Sequence, residues 1–419
     1  MAPGPALLFD KSALQCLSID EAAWLDNFFE TNITPLFFVE ALADLEKQHP
    51  KGSPEQFVAS LAEKTPVYHS HLNAHHLTII EAELSGQLVV KMDGRPLVPG
   101  AQVVELEGQT GIILRPPPEQ EAFSRWQRHE YFDLERRWAK AWRTHLSGFD
   151  LPQIYHRNQC WFETRPKPRT LDEAKVLAAQ ILDEVDKENA LLFGLQLLGG
   201  LPDAQLFVKK RWYASDCPPL RLFAPYSGYV AGVNLFFYIA FAAGLIGRER
   251  PSNLVDLAYL YYLPFCRVFV SRDNLHRRIA RVFLSDDQEF IWGDDFKVAL
   301  GHLNDHYSQL PAETRARVIS SFAPCPPLDD AFLVTRVWDK HMPEWRRLSE
   351  NDPTNIDKDT AADVLERFHR LTETAQPVDP QLPFDSDQAE GIVSPRMIPT
   401  TKGKWRLLPA ELEGKNDCK

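Results

Sequence analysis

The chain has 419 residues, with 46 basic and 58 acidic side chains and therefore a formal net charge of −12. Apolar residues make up 44% of it, a composition typical of globular proteins that excludes a disordered chain, a collagen and a coiled coil. The length exceeds what one hydrophobic core usually fills, so we expect two domains or one domain with a large insertion. The negative charge argues against a protein that coats nucleic acid along its whole surface, but it leaves room for a local basic groove.

The first half of the chain predicts a short buried strand, two helices and then a β-rich stretch. The helix at 18–30 begins with Ser18 and Glu21, which have the spacing of a capping box. In chain order, the patterns predict a strand at 5–9, helices at 18–30 and 36–48, β structure at 77–115, and helices at 120–146 and 170–188.

The second half of the sequence predicts a long apolar helix, a strand with acidic residues before and after it, and a polar tail. Here the patterns predict a helix at 229–246, a short helix from 253, a strand at 267–271, mostly helical sequence to about 370, and a loosely packed Pro- and Asp-rich tail at 375–419. Residues 228–247 carry no charge, and that run is long enough to span a bilayer. Because Asn234, several glycines and two tyrosines interrupt it, we expect a buried core helix, with membrane association as the alternative.

The cysteines and the N-terminus predict a cytoplasmic protein. The six cysteines lie far apart and form no CxxC pair, which favours free thiols in a reducing compartment. The first residues, MAPGPALLFDKS, lack the basic start and long apolar stretch of a signal peptide.

Two carboxylates frame the most informative segment, residues 251–278. A helix of about ten residues and the strand that follows it have matched lengths of roughly 15 and 17 Å, so the two run antiparallel. This places Asp256, early in the helix, beside Asp273, just past the strand. Open α/β sheets bind ligands at the carboxyl ends of their strands, where Asp273 would lie.

Acidic residues near the N-terminus repeat this arrangement. Asp10 follows the first strand and is itself followed by Ser12, while Glu40 lies early in the helix at 36–48. Four converging carboxylates repel one another, by about 4 kcal/mol for a pair at ~4 Å. A divalent cation would relieve the repulsion, and hard oxygen ligands favour Mg²⁺ or Mn²⁺. Such an ion would polarise a phosphoryl oxygen and supply hydroxide for attack on a phosphodiester.

The segments LLFDKSAL, PLFFVEALADL and VDLAYLYYLPFCRVFVSRDNL resemble the ordered acidic signature of the PIN-like nuclease superfamily. The resemblance implies a three-layer α/β fold, a parallel sheet flanked by helices, and metal-dependent cleavage of RNA or, less often, of DNA. The implied metal-binding and catalytic acids are Asp10, Glu40, Asp256 and Asp273, and the implied supporting hydroxyls are those of Ser12 and Ser271.

About 170 residues separate the second acid from the third, so the predicted domain is discontinuous. Residues 1–65 and 220–320 would form the PIN-like domain, 66–219 a mixed α+β insertion, and 321–419 a helical extension with a Pro/Asp-rich tail. The leading functional hypothesis is an Mg²⁺- or Mn²⁺-dependent endonuclease acting on RNA, as a stress, toxin or defence effector. The alternative is a non-catalytic interaction or scaffold protein that binds a protein partner through the insertion.

Local positive charge favours a phosphate ligand. From 248 to 281 there are seven arginines against Glu249, Asp256 and Asp273, so this segment carries +4. The predicted phosphate-binding residues are Arg272, His276, Arg277 and Arg278. The alternative is that several arginines pair with acids such as Asp286 and Asp287.

Two further clusters have open interpretations. The histidines of YHSHLNAHH, at 69, 71, 75 and 76, could hold zinc or iron, but a polar loop or a strand edge is the simpler interpretation. The aromatic and basic residues of the helix near 126–143, among them Trp138 and Trp142, could stack nucleic-acid bases, although tryptophan at helical spacing is more often core.

Overall fold

The structure is a computed structural model. It describes residues 4–47, 52–106, 109–114, 118–147, 153, 156, 159–162, 164–184, 187–199, 205–247, 250, 252–350, 376–377, 391–393 and 398–409.

The described strands are short. In chain order they are β1 (Ala6–Phe9), β2 (Glu30–Ile33), β3 (Ser70–Leu72), β4 (Ala101–Leu106), β5 (Gln109–Leu114), β6 (Val268–Ser271), β7 (Glu289–Trp292), β8 (Gln376–Pro377), β9 (Gly391–Val393), β10 (Thr401–Lys402) and β11 (Trp405–Arg406).

Helices account for much of the rest. The first half contains α1 (Lys11–Cys16), α2 (Ile19–Phe28), α3 (Pro35–Ala43), α4 (Pro54–Lys64), α5 (His76–Ser85), α6 (Pro118–Gln127), α7 (Asp133–Ser147), α8 (Leu171–Glu184) and α9 (Lys187–Leu197). The second half contains α10 (Gln205–Ala214), α11 (Leu220–Phe223), α12 (Pro225–Ala243), α13 (Asn253–Ala258), α14 (Asn274–Phe283), α15 (Gly293–Ser308), α16 (Ala312–Arg315), α17 (Ile319–Phe322), α18 (Leu333–His341) and α19 (Trp345–Glu350). Short 3₁₀ helices cover Asp44–Glu46, Gln159–Phe162 and Tyr259–Phe265.

The centre of the fold is a five-stranded parallel sheet in the order β3-β2-β1-β6-β7. The chain builds outward from β1 to β3 on one side and then returns to lay β6 and β7 on the other side. The strand order therefore reverses between β1 and β6. In open α/β sheets such a reversal opens a crevice at the carboxyl ends of the two strands.

Hydrophobic cores cover both faces of this sheet. Leu7 and Phe9 of β1 pack into one core with α2 and α15, whereas Leu8 between them packs into the other core with α12 and α14. Alternate side chains of a strand point to opposite faces, so a strand covered on both sides is apolar throughout. The predicted α/β architecture, a parallel sheet flanked by helices, is confirmed at this level.

The apolar helix α12 is central to the second core. Most of its side chains are buried, and Gly244 ends it in a left-handed conformation with φ 79°. At its start, the buried Glu83 carboxylate accepts hydrogen bonds from the amides of Tyr226 (3.0 Å) and Ser227 (2.7 Å). Among the described helices, α12 is the one long and apolar enough to cross a membrane, and 72% of its most apolar window is buried inside the protein.

Several local predictions need correction. Residues 77–84 form helix α5 rather than a strand, because the buried positions 79, 80, 83 and 84 follow the helical period and His75 and Gly86 cap its ends. Residues 87–100, also predicted to be β, form no strand either, and the expected β structure is confined to the hairpin β4–β5. The predicted helix at 18–30 ends at Phe28, and the polar strand β2 follows it.

The sheet uses more of the chain than the two predicted segments. Its edge strand β3 lies inside the region predicted as an insertion, and the second and seventh strands, β2 and β7, are ones that the sequence patterns missed. Residues 351–370, predicted to be helical, lie outside the described residues.

The region predicted to be a loose tail contains a well-anchored segment at 398–409. Lys402 is 2% exposed and its Nζ lies 2.6 Å from Oδ2 of Asp26, which is fully buried. Lys402 also donates to the carbonyl of Thr65 at 2.9 Å. Trp405 packs against Trp24, with ring centroids 4.7 Å apart. For these residues, the expectation of loose packing is wrong.

Candidate active site

The loops after β1 and β6 meet through one serine hydroxyl. Asp10 follows β1 and caps α1, and Asp273 follows β6 and caps α14. Ser271, the last residue of β6, donates from Oγ to Asp10 Oδ2 at 2.8 Å and accepts the amide of Asp273 at 2.9 Å. Two acids that lie 263 positions apart in the sequence are thereby joined at the strand-order reversal.

Asp10 is buried and well supplied with donors. Its Oδ2 accepts from Ser12 Oγ at 2.7 Å, and its Oδ1 accepts from the amide of Ala13 at 2.9 Å. Burial raises the pKa of Asp10, but the charge and hydrogen bonding of His276, with Ser12 and Ala13, outweigh it and hold the pKa below the usual value. The structure thus places both hydroxyls predicted to support this carboxylate, Ser12 and Ser271, on its oxygens.

His276 is fully buried beside Asp10, with its Nδ1 3.5 Å from Asp10 Oδ2. Its Nε2 lies 2.6 Å from the backbone carbonyl of Asp256, which can only accept, so Nε2 carries a proton. Its Nδ1 lies 2.8 Å from Ser271 Oγ, whose own hydrogen goes to Asp10, so Nδ1 donates as well. With the Ser271 hydrogen assigned to Asp10, this arrangement corresponds to an imidazolium ring. Burial lowers the pKa of His276, but Asp10 and Asp256 raise it to about 9.

Glu40 approaches the same place from α3. Tyr259 donates from its hydroxyl to Glu40 Oε2 at 2.5 Å, and Lys11 Nζ lies 3.3 Å from the Glu40 carbonyl and 3.0 Å from Asp44. Burial raises the pKa of Glu40, and Asp10 adds to this, while Lys11 and Tyr259 act in the opposite direction.

Asp256 is the least compensated acid of the group. Its Oδ2 is buried and has no hydrogen-bond partner in the described part of the chain. Burial raises the pKa of Asp256 to about 7, and the charges of Asp273 and Glu40 add to the increase against the opposing effect of His276 and Arg250. Asp256 therefore interacts electrostatically with both Asp273 and Glu40. The helix that carries it is shorter than expected, since the 3₁₀ segment 259–265 follows Ala258.

Asp273 lies at the solvent side of the cluster, with 16% of its side chain exposed. Its Oδ1 accepts the amide of Leu275 at 2.6 Å, and its Oδ2 lies 3.7 Å from Nη1 of Arg250, whose side chain is 66% exposed. The pair is too long and too exposed to neutralise Asp273. The accessible edge of the cluster therefore combines one carboxylate with one exposed cation.

Each of the predicted phosphate-binding residues has partners within the protein. Arg272 pairs with Asp294 at 2.8 Å, Arg277 lies over the Trp292 ring at 5.0 Å, and Arg278 donates to the Leu245 carbonyl at 2.7 Å. His276 cannot bind phosphate in this conformation, because it is buried and both ring nitrogens are engaged. Of the alternative acid pairs, the structure shows Arg267 with Asp287.

The two other clusters are built on different elements, β3 with the start of α5, and α7. Ser70–Leu72 is the edge strand β3, in agreement with the simpler interpretation of the histidine cluster, and His71 contacts Glu30 at 3.1 Å. On α7, Trp138 and Trp142 stack in parallel 5.6 Å apart, and Trp138 is 36% exposed.

Sequence reasoning missed Tyr259, Arg250 and the buried position of His276. Helical spacing contained a signal for the last of these. The buried residues of α14 are 275, 276, 279 and 280, so His276 falls on the apolar face defined by Leu275 and Ile279.

The donor set fits a hard divalent cation in its chemistry. Glu40, Asp256 and Asp273 supply carboxylate oxygens, and the buried Oδ2 of Asp256 has no other partner in the described part of the chain. Within the same part of the chain, no three His, Cys, Asp or Glu side chains stand close enough together to form a ready-made metal site. Ion binding would therefore require the carboxylates to draw closer.

No family model, no curated protein and no solved structure matches the chain.

Proposed function

We propose that the protein is a PIN-like, divalent-metal-dependent endonuclease that hydrolyses phosphodiester bonds, with RNA as the preferred substrate. The observation that carries the proposal is the buried Oδ2 of Asp256, which has no hydrogen-bond partner in the described part of the chain and belongs to a carboxylate that interacts with the charges of Glu40 and Asp273. A buried acid with a strongly perturbed pKa in a crevice is typical of a functional centre. The preference for RNA and the role as a stress, toxin or defence effector rest on the family resemblance alone.

The acids have different roles in this proposal. Glu40, Asp256 and Asp273 would hold Mg²⁺ or Mn²⁺, and the bound ion would polarise the phosphoryl oxygen and lower the pKa of the attacking water. Asp10 stays ionised because Ser12, Ser271 and His276 stabilise its charge.

The surrounding residues position these acids. Tyr259 fixes the Glu40 carboxylate through its hydroxyl, and His276 holds α13 against α14 through the Asp256 carbonyl. Arg250, on the exposed side of Asp273, can orient a phosphate of the incoming strand.

Cleavage assays with matched substitutions test the proposal. Labelled single-stranded RNA and DNA are incubated with the full chain in Mg²⁺, Mn²⁺ or EDTA. Asp273→Asn removes one charge but keeps the helix cap, because asparagine caps as well as aspartate. Asp286→Asn, at an exposed position outside the cluster, is the control. We expect metal-dependent cleavage that falls at least about 100-fold in Asp273→Asn only. The proposed nuclease activity would be refuted if no cleavage is seen, or if both variants cleave equally.

A non-catalytic interaction protein is the second candidate. It is favoured by the imidazolium of His276, which already compensates Asp10, and by the lack of a preformed three-ligand group among the described residues. This candidate predicts no thermal stabilisation by Mn²⁺. The nuclease predicts a rise in melting temperature with Mn²⁺, because an ion that binds only the folded state stabilises it.

A further inference from the structure

A concave site opens beside the acid cluster, between the end of α12 and the start of α14. Its volume is about 570 Å³, within the ~300–1,000 Å³ usual for small-molecule sites. Asn274, which directly follows Asp273, lines it together with Arg250, the residue that lies 3.7 Å from Asp273. The cavity is therefore continuous with the exposed edge of the candidate active site.

The described lining of this cavity is positively charged. Arg250 and Arg278 contribute two guanidinium groups, and no acidic residue is among the described residues that line it. Arg250 is largely exposed and only loosely held by Asp273. Arg278 directs one of its five donors to the Leu245 carbonyl at 2.7 Å, which fixes the guanidinium at the wall. Two planar cations on one cavity are the recognition groups of a phosphate.

The rest of the lining suits a nucleoside. Ile246 and Leu275 are buried apolar residues that form part of the wall, and Asn253 and Asn274 add amide groups able to bind polar edges. Asn253 is 6% exposed and donates to the Gly247 carbonyl at 2.9 Å, so its amide is held in place. Apolar walls with a few fixed polar groups are the usual composition of small-ligand sites.

We propose that this cavity binds the nucleotide next to the phosphodiester that is cleaved, with Arg250 and Arg278 on its phosphate and its base or sugar against Ile246 and Leu275. The proposal rests on the proposed function for the identity of the neighbouring bond. A separate prediction concerns the cavity alone: a mononucleotide binds there without any metal.

Calorimetric binding in EDTA tests the cavity independently of catalysis. The probes are adenosine 5′-monophosphate, adenosine and inorganic phosphate, each titrated into the full chain. We expect the monophosphate to bind more tightly than either part alone. Arg250→Gln should weaken it about 10- to 100-fold, the loss expected when a charged hydrogen-bond donor is removed, and should leave adenosine unchanged.

Two further variants keep the test decisive. Arg278→Gln could disturb the wall by losing its bond to Leu245, so Arg278→Lys, which keeps the positive charge and N–H donors for that carbonyl, is measured beside it. Arg281→Gln is the control, because Arg281 is exposed on the same helix but is not among the described lining residues.

The outcomes separate the two proposals. Monophosphate binding that depends on Arg250 and Arg278 but not on Arg281 supports the nucleotide-site proposal. This holds even where RNA is not cleaved and the proposed nuclease activity is refuted. The nucleotide-site proposal is refuted if the monophosphate does not bind, or if its binding is insensitive to both lining arginines. It is also refuted if inorganic phosphate binds as tightly as the monophosphate. Each of these results counts against the site even where cleavage is observed. In an active enzyme, the monophosphate should also inhibit cleavage competitively.

Discussion

Asp256→Asn should stabilise the metal-free protein while it abolishes cleavage. The substitution keeps the shape of the side chain and removes a charge that the fold compensates poorly, since Oδ2 has no hydrogen-bond partner in the described part of the chain. A pKa displaced from 3.8 to about 7 corresponds to about 4 kcal/mol of unfolding free energy once the carboxyl is ionised in both states.

The effect must depend on pH in a defined direction. The folded-state pKa of Asp256 is raised above its unfolded value, so its stabilising contribution is complete below pH 3.8 and is lost as the pH rises through about 7. Between pH 5 and pH 8.5 the free energy of unfolding of the wild type should therefore fall by about 2 to 3 kcal/mol relative to that of Asp256→Asn. Comparing the two proteins at each pH cancels the titration of all other groups.

Urea unfolding followed by tryptophan fluorescence measures this difference, in EDTA to exclude adventitious ions. Asp286→Asn, at an exposed position, should show no such pH-dependent gain. A stability difference between Asp256→Asn and the wild type that stays constant from pH 5 to pH 8.5 would refute the view that Asp256 is a strained carboxylate. Mn²⁺ at pH 8.5 should reverse the order of stability, because only the wild type has the full set of carboxylates.

Three other predictions concern buried charged side chains. His276→Gln should lower the free energy of unfolding by about 3 kcal/mol at pH 6 and by much less at pH 10. The raised pKa of His276 makes its stabilising contribution complete below pH 6.5, and the contribution is lost as the pH passes about 9. Equal losses at both pH values in urea unfolding would contradict a protonated His276. Lys402→Met should cost about 3 to 5 kcal/mol by leaving Asp26 buried without its partner, and adding Asp26→Asn should recover part of the loss in a thermal melt; no recovery would argue against the ion pair. Mn²⁺ affinity should rise between pH 6 and pH 8 as Asp256 loses its proton, and calorimetry showing a pH-independent affinity would exclude Asp256 as a ligand.

Parts of the fold and site that depend on short-range sequence signals could be predicted. Asp10 and Asp273 were identified because each follows an apolar strand, a feature that lies within a few residues. The capping box of Ser18 and Glu21 forms as expected for the same reason. The burial of β1 at every position likewise follows from its uninterrupted apolar run.

Elements whose stability comes from distant partners could not be predicted in this way. The strands β2 and β7 have only four residues each, ETNI and EFIW, and they are strands because β1 and β6 pair with them. The same limit applies to Lys402, whose partner Asp26 lies 376 positions away. No local pattern marks a lysine in a polar tail as buried, so the anchor of 398–409 was missed.

The contrast between Asp256 and its neighbours is the strongest argument that the cluster serves a function rather than the fold. Asp10 has hydroxyl and amide donors and a cation, Glu40 has the Tyr259 hydroxyl, and Asp273 caps α14. Asp256 contributes to this framework only through its backbone carbonyl, which accepts from His276 and which any residue could supply. Its carboxylate raises the free energy of the fold at neutral pH, so a purely structural role predicts that asparagine would serve better. The proposed cation would remove that conflict, because it would stabilise the ionised carboxylate that the metal-free fold disfavours.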